Sequence, residues 1–453
     1  MTSGPRGASG FDVLSSREVP LPPEQLEALP LPDKLREVDL TLRPDRERAV
    51  DALELAAYLE ADGLSDESLR DRYGAGGLFA AAETLYAQRG TGRALDRPRD
   101  EVLPPFPWYL AQRGPLYLLP GACGLLISGA AGSGASIAFV FAAAFGWGYS
   151  MMLARIRYAE PFGTPGAALR LALAVATLVG LVGGGLLAAL MVGHAHWAWG
   201  VLLGGTVAVS GASAGVLLSL DQRGQMAGAF ALPLLLGGMV YVWPHPALQL
   251  LALATLALSP LLLALRATRE PGQLPAEWST FRPGLGLACY GWALAAAFVA
   301  LSHRLGGWVM LPVILSAGLL EAGVWNAQQG LQHTARTRSD FGQVFREGSR
   351  QVLGTALLYG LMLVAALALL VPLPLTAKQI NLAVVLTVPA FGTALLLSTW
   401  LANQRREGLL LVIWAGYSLL LMLGVSPPLL SAPLILVLLP LTFVTLRDLR
   451  SYR

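Results

Sequence analysis

Charge is scarce in this chain of 453 residues: only 13% are Asp, Glu, Lys or Arg, against ~25% in an ordinary soluble domain. With 55% hydrophobic residues and a mean hydropathy of +0.56, that shortage excludes both a soluble enzyme and a disordered chain. Cysteine is almost missing too. Cys123 and Cys289 sit in apolar runs, which rules out a disulfide scaffold and reads as two small hydrophobic side chains. No phosphate-binding loop with its lysine, no CxxC pair, no HExxH helix and no GxSxG elbow occurs. ATP-driven work by this chain alone is therefore not expected, nor enzymatic activity, nor a cofactor or bound metal.

What charge there is divides unevenly. Residues 1–105 carry 13 Lys+Arg against 20 Asp+Glu, a net of −7; residues 106–453 carry 19 against 9, a net of +10. The pI of 8.9 averages two unlike regions and does not point to nucleic acid. The first region opens with a Gly/Ser/Pro-rich tail, in which no secretory signal is expected, and continues through Pro20, Pro22, Pro23, Pro30 and Pro32 as an extended stretch. Three short helices should follow: one capped by Asp45 and stopped at Gly63, one started by Ser65, and one over 78–89 after the break at Gly74 and Gly76-Gly77. This small acidic helical module holds no His or Cys. It is expected to be cytoplasmic and to act as a scaffold or regulatory appendage, with a protein partner reached through residues 1–105.

The rest predicts an all-α polytopic membrane protein. A spanning helix needs roughly 20 apolar residues, and twelve such segments lie near 115–131, 134–154, 168–192, 197–219, 226–243, 246–265, 283–302, 307–328, 351–371, 379–401, 408–424 and 428–446. Sixteen arginines fall in the loops after even-numbered segments and in the C-terminal tail, against Arg304 and Lys378 in the other loops. By the positive-inside rule both termini are cytoplasmic. The largest break divides the spans into two sets of six: 106–266 as a first bundle, 267–282 as a cytoplasmic linker and 283–453 as a second bundle with a short tail. An Arg-x-Arg…Phe-Gly…Arg order recurs at Arg155–Arg170 and Arg336–Arg350, as expected of two like-oriented repeats.

Few residues could carry chemistry. Glu321 is the one acid well inside a predicted span. A charge there costs at least ~2.5 kcal/mol, so the carboxyl should be paired, protonated or facing water. Trp325 and Gln328 share its helical face and Asn326 lies one step round. The four either line a cavity that binds a cation, proton or substrate hydroxyls, or Glu321 pairs with a loop arginine and ties helix ends together. Arg336, Arg338, Arg346 and Arg350 lie in a basic loop whose 339–350 stretch has the pattern of an amphipathic surface helix. They either contact anionic headgroups or only set topology. His194, His196 and His245 lack an acidic or Cys partner, and interfacial packing fits them better than a metal. Lys378, Gln379 and Asn381 either guard a cavity mouth or form a solvated helix end. Pro233, Pro260, Pro312, Pro389 and Pro440 fall inside apolar segments, and glycine runs at 183–185, 204–205 and 237–238 add weak points that also allow close packing.

Two stretches carry a family likeness: Leu319-Leu320-Glu321 through Phe345-Arg346 to Arg350, and Trp400-Leu401-Ala402-Asn403-Gln404-Arg405-Arg406. With the six-plus-six layout, they make 115–446 resemble the multidrug/oligosaccharidyl-lipid/polysaccharide exporter superfamily, in its polysaccharide-export branch. That resemblance implies a V-shaped transporter or flippase of the bacterial inner membrane, moving a polysaccharide, lipid-linked glycan or lipid by alternating access. The acidic module is foreign to that core. Cations lie near span ends rather than in the middle, which counts against a pyrophosphate-linked substrate. The alternatives are a membrane-embedded glycosyl- or acyltransferase, or a non-catalytic subunit of an envelope-biogenesis complex.

Overall fold

A computed structural model describes residues 51–87, 105–131, 133–159, 166–269, 276, 278–337, 341–372 and 380–448, with isolated positions between 35 and 49. The chain forms two compact units, divided at Pro98.

In the first unit α1 (Ala52–Ala61), α2 (Asp66–Asp71) and α3 (Leu78–Ala87) follow one another as expected. Asp45 lies outside the described residues. The cap seen at α1 is Asp51, whose Oδ1 accepts from the Glu54 amide at 2.8 Å. Gly63, with φ of +88°, ends that turn. Ser65 caps α2 as predicted, accepting from the Ser68 amide at 3.1 Å. Asp66 accepts from the Leu78 amide at 2.8 Å and so fixes the start of α3. Leu55, Leu59, Leu64, Leu69 and Leu85 form the buried interior, beside an Arg46–Asp39 ion pair.

The second unit is helical throughout its described residues. After a short α4 (Trp108–Ala111) come α5 (Arg113–Ala131), α6 (Ser133–Ala159), α7 (Gly166–Met191), α8 (Trp197–Ser219), α9 (Arg223–Val242) and α10 (Pro246–Ala267). Then follow α11 (Trp278–Leu305), α12 (Leu311–Leu315), α13 (Ala317–Thr337), α14 (Phe341–Leu370), α15 (Leu382–Asn403), α16 (Glu407–Met422) and α17 (Pro427–Leu446). Among the described residues, ten helical spans are long and apolar enough to cross a bilayer, α12 and α13 together forming one. The two predicted segments outside that ten are also helical. They are α5, which holds Pro120, and α16, which has 16 residues. The chain is a multi-pass integral membrane protein whose apolar helices contact lipid.

Most prolines are absorbed without a break: α9, α10, α15 and α17 run through Pro233, Pro260, Pro389 and Pro440. After Pro312 the helix does break, at Ser316, whose hydroxyl lies 2.8 Å from that of Tyr359 on α14. The predicted surface helix over 339–350 is instead continuous with the span that follows it, since α14 is one helix from Phe341. Likewise α11 starts at Trp278, ahead of Pro283, inside the stretch read as linker.

Packing follows side-chain size. The hairpin α7–α8 closes on a ladder of glycines. A Cβ at Gly184 would stand 2.5 Å from the Gly200 carbonyl oxygen, and one at Gly204 would stand 2.4 Å from that of Gly180. Backbones can approach so closely only because these side chains are absent. Two hydrophobic clusters result. One gathers buried residues from Cys123 to Ala264 with Ala288; the other runs from Tyr290 to Leu446. They meet along α11. There Gly148 of α6 lies against Ala288 and Trp292, Gly291 lies against Gly148 and Met151, and Trp292 Nε1 donates to the Phe145 carbonyl at 3.1 Å.

Candidate functional site

A second meeting of the two clusters' helices is polar. Gly114 on α5 faces the helix break after α12: a Cβ there would come within 2.0 Å of the Leu315 carbonyl oxygen. A Cβ on Gly318 of α13 would sit 2.4 Å from the Leu110 oxygen. These paired glycines bring the start of α5 onto α13, and with it Arg113 and Tyr117 onto Glu321. Arg113 Nη1 donates to Glu321 Oε2 at 3.2 Å, and the Tyr117 hydroxyl donates to Glu321 Oε1. Arg113 Nη2 reaches Asp221 Oδ1 at 3.4 Å, in the turn between α8 and α9. Asp221 in turn accepts from Arg223 Nε at 3.0 Å. Arg223 Nη1 donates to the Tyr109 carbonyl at 2.8 Å and its guanidinium lies 5.1 Å from that ring's centre.

Two arginines and two carboxylates thus form a chain of balanced charge running from α9 across α5 to α13. The Glu321 and Asp221 side chains keep 31% and 56% of their surface, and that of Arg113 keeps 18%.

Of the two readings open for Glu321, the structure contains the pairing with an arginine at a helix start. Its predicted companions separate. Trp325 and Asn326 are half-buried on α13, whereas Gln328 accepts from Gln404 Nε2 at 3.0 Å and joins α13 to α15. Arg346 and Arg350 are exposed in the first turns of α14, Arg346 Nε reaching the Gly342 carbonyl at 3.4 Å. The Arg336 side chain and all of Arg338 lie outside the described residues, as do much of both Arg-x-Arg…Phe-Gly repeats, Lys378 and Gln379. Asn381 caps α15, accepting from the Val384 amide at 3.1 Å. His194, His196 and His245 are exposed, and among the described residues no group of three metal-ligating side chains forms. His245 Nδ1 instead accepts from the Ala247 amide at 3.3 Å, at the start of α10.

Sequence reasoning passed over Arg113, Tyr117, Asp221 and Arg223 as site residues. The available signal was the rarity of acids, nine after residue 105, which makes the partner of each one informative. No protein-family model, no curated protein and no solved structure matches this chain.

Proposed function

We propose that the chain is a transporter or flippase of a bacterial inner membrane, not an enzyme, which moves a polysaccharide, lipid-linked glycan or lipid by alternating exposure between two six-helix halves. The observation that carries this reading is the ion-pair chain Arg113–Glu321 across the meeting of α5 with α13. A static bundle gains little from charges in lipid, whereas two halves that move need a contact that can reopen.

The helix order supports two halves. Counting α12 and α13 as one span, the pairs α6–α7, α7–α8, α8–α10 and α5–α9 have counterparts six spans later in α13–α14, α14–α15, α15–α17 and α11–α16. The joins α6–α11 and α5–α13 likewise exchange with each other when the halves are exchanged. Two such halves keep one orientation, which agrees with basic loops and both termini on the cytoplasmic side. The resemblance to the exporter superfamily adds the substrate class.

The test uses purified protein in lipid vesicles carrying trace fluorescent phospholipid or trace fluorescent polyprenyl-linked sugar, with dithionite added outside. Transport predicts that inner-leaflet label of one probe becomes bleachable in vesicles holding protein. Protection of every such probe would contradict it. A second reading, a non-catalytic subunit, is favoured by one observation: Leu53 and Phe79 of the acidic module are 64% and 60% exposed. On that reading the purified chain moves no probe in vesicles, and deleting residues 1–98 abolishes complex formation in membranes; a complex that survives the deletion would contradict it.

A further inference from the structure

Both joins between the halves set glycine against backbone, Gly148 and Gly291 at one and Gly114 and Gly318 at the other, and they differ in what surrounds it. Along α6–α11 the contact is glycine against backbone, flanked by buried Phe145 and Ala288 and by rings of Phe145 and Trp292 stacked 5.9 Å apart. Nothing charged takes part in those contacts, and separating them would open apolar surface and free the Phe145 carbonyl. Along α5–α13 an ion pair lies beside the glycines, at a helix already broken at Ser316. Separating it leaves Arg113 paired with Asp221, while Glu321 loses both donors and must be hydrated or protonated.

We infer that α6–α11 is the fixed pivot of the molecule and that the Arg113–Tyr117–Glu321 cluster, with Asp221, is a latch holding the halves together on the α5–α13 side. This deepens the transporter reading and rests on it. Arg113 is suited to the role because it bridges two acids at once, Glu321 on one half and Asp221 on the other. On release it keeps Asp221 as partner, so its charge is never stranded. Tyr117 donates to the carboxylate from the same helix as Arg113, so both donors leave together when α5 parts from α13. The groups facing Glu321 across the join are thus one cation and one hydroxyl.

The experiment places spin labels at Gln225→Cys on α9 and Asn403→Cys at the end of α15, both exposed, in a Cys123→Ala, Cys289→Ala background. Distance distributions are then measured on full-length protein in lipid nanodiscs. Glu321→Gln and Arg113→Gln should each raise the population of altered distance by about five-fold, the factor of ~1 kcal/mol, and the double variant should add little to either single one. Tyr117→Phe, which removes one hydroxyl, should shift the distribution the same way by less. Distributions identical to the parent in all monodisperse variants would overturn the latch. So would additive effects of the two charge variants. If neither charge variant is monodisperse, Tyr117→Phe decides alone, a shift supporting the latch and none refuting it. The same preparations go into the vesicle assay. Unchanged distances with transport present refute only the latch; altered distances with no probe moved refute only the transporter.

Discussion

Asp221 and Arg405 are the two non-glycine residues with positive φ among the described residues, at 57° and 59°. Asp221 follows α8 and Arg405 follows α15, and each turn closes with an amide reaching back five residues: Gln222 to the Leu217 carbonyl at 2.8 Å, Arg406 to the Leu401 carbonyl at 3.2 Å. This is the helix stop that glycine usually makes, and an L side chain there costs ~1–2 kcal/mol. Asp221 recovers part of that cost through Arg113 and Arg223. Arg405→Gly should therefore raise the thermal unfolding midpoint in detergent, and Asp221→Gly should raise it less or lower it; equal gains would mean that the Asp221 pairs contribute nothing. In the first unit, Asp51→Ala removes the cap of α1 and should cost ~0.5–2 kcal/mol, seen as faster hydrogen exchange at residues 52–55.

At the scale of elements, close approach decides which helices pair. Gly184→Leu or Gly204→Val would drive a side chain into the facing backbone of α7–α8. The expected loss is ~1–3 kcal/mol of stability, read as a lower unfolding midpoint, while Gly228→Val, with open space around it, serves as the neutral control. The existence of these helices was legible: apolar runs of bilayer length, Ser65 as a cap and Gly63 as a stop all act locally, so sequence displays them. The pairing was not. Nothing in the periodicity of α6 says that Gly148 meets Gly291, and the glycines at 183–185 and 204–205 read equally as weak points or as contact surface. Nothing in the sequence marks the partners of Arg113, because they lie 108 and 208 residues away. Glu321 was legible as unusual; the identity of its partner was a tertiary fact.

At the scale of the whole molecule, lipid is the solvent of the second unit, and on the proposed reading two like-oriented sets of helices join at one uncharged and one ionic contact. Like orientation predicts that reporter fusions at residues 1 and 453 report the same, cytoplasmic side, and that a reporter placed after Val192 reports the other; termini on opposite sides would break the repeat. The most direct measurement is a cross-link across the uncharged contact, at Met152→Cys and Gly284→Cys. A Cβ on Gly284 would lie 3.5 Å from the Met152 Cα, within disulfide reach. With both native cysteines replaced and a protease site inserted at residue 272, oxidation in native membranes followed by cleavage should leave one full-length band that reduction splits in two. Two fragments without reduction would contradict the account.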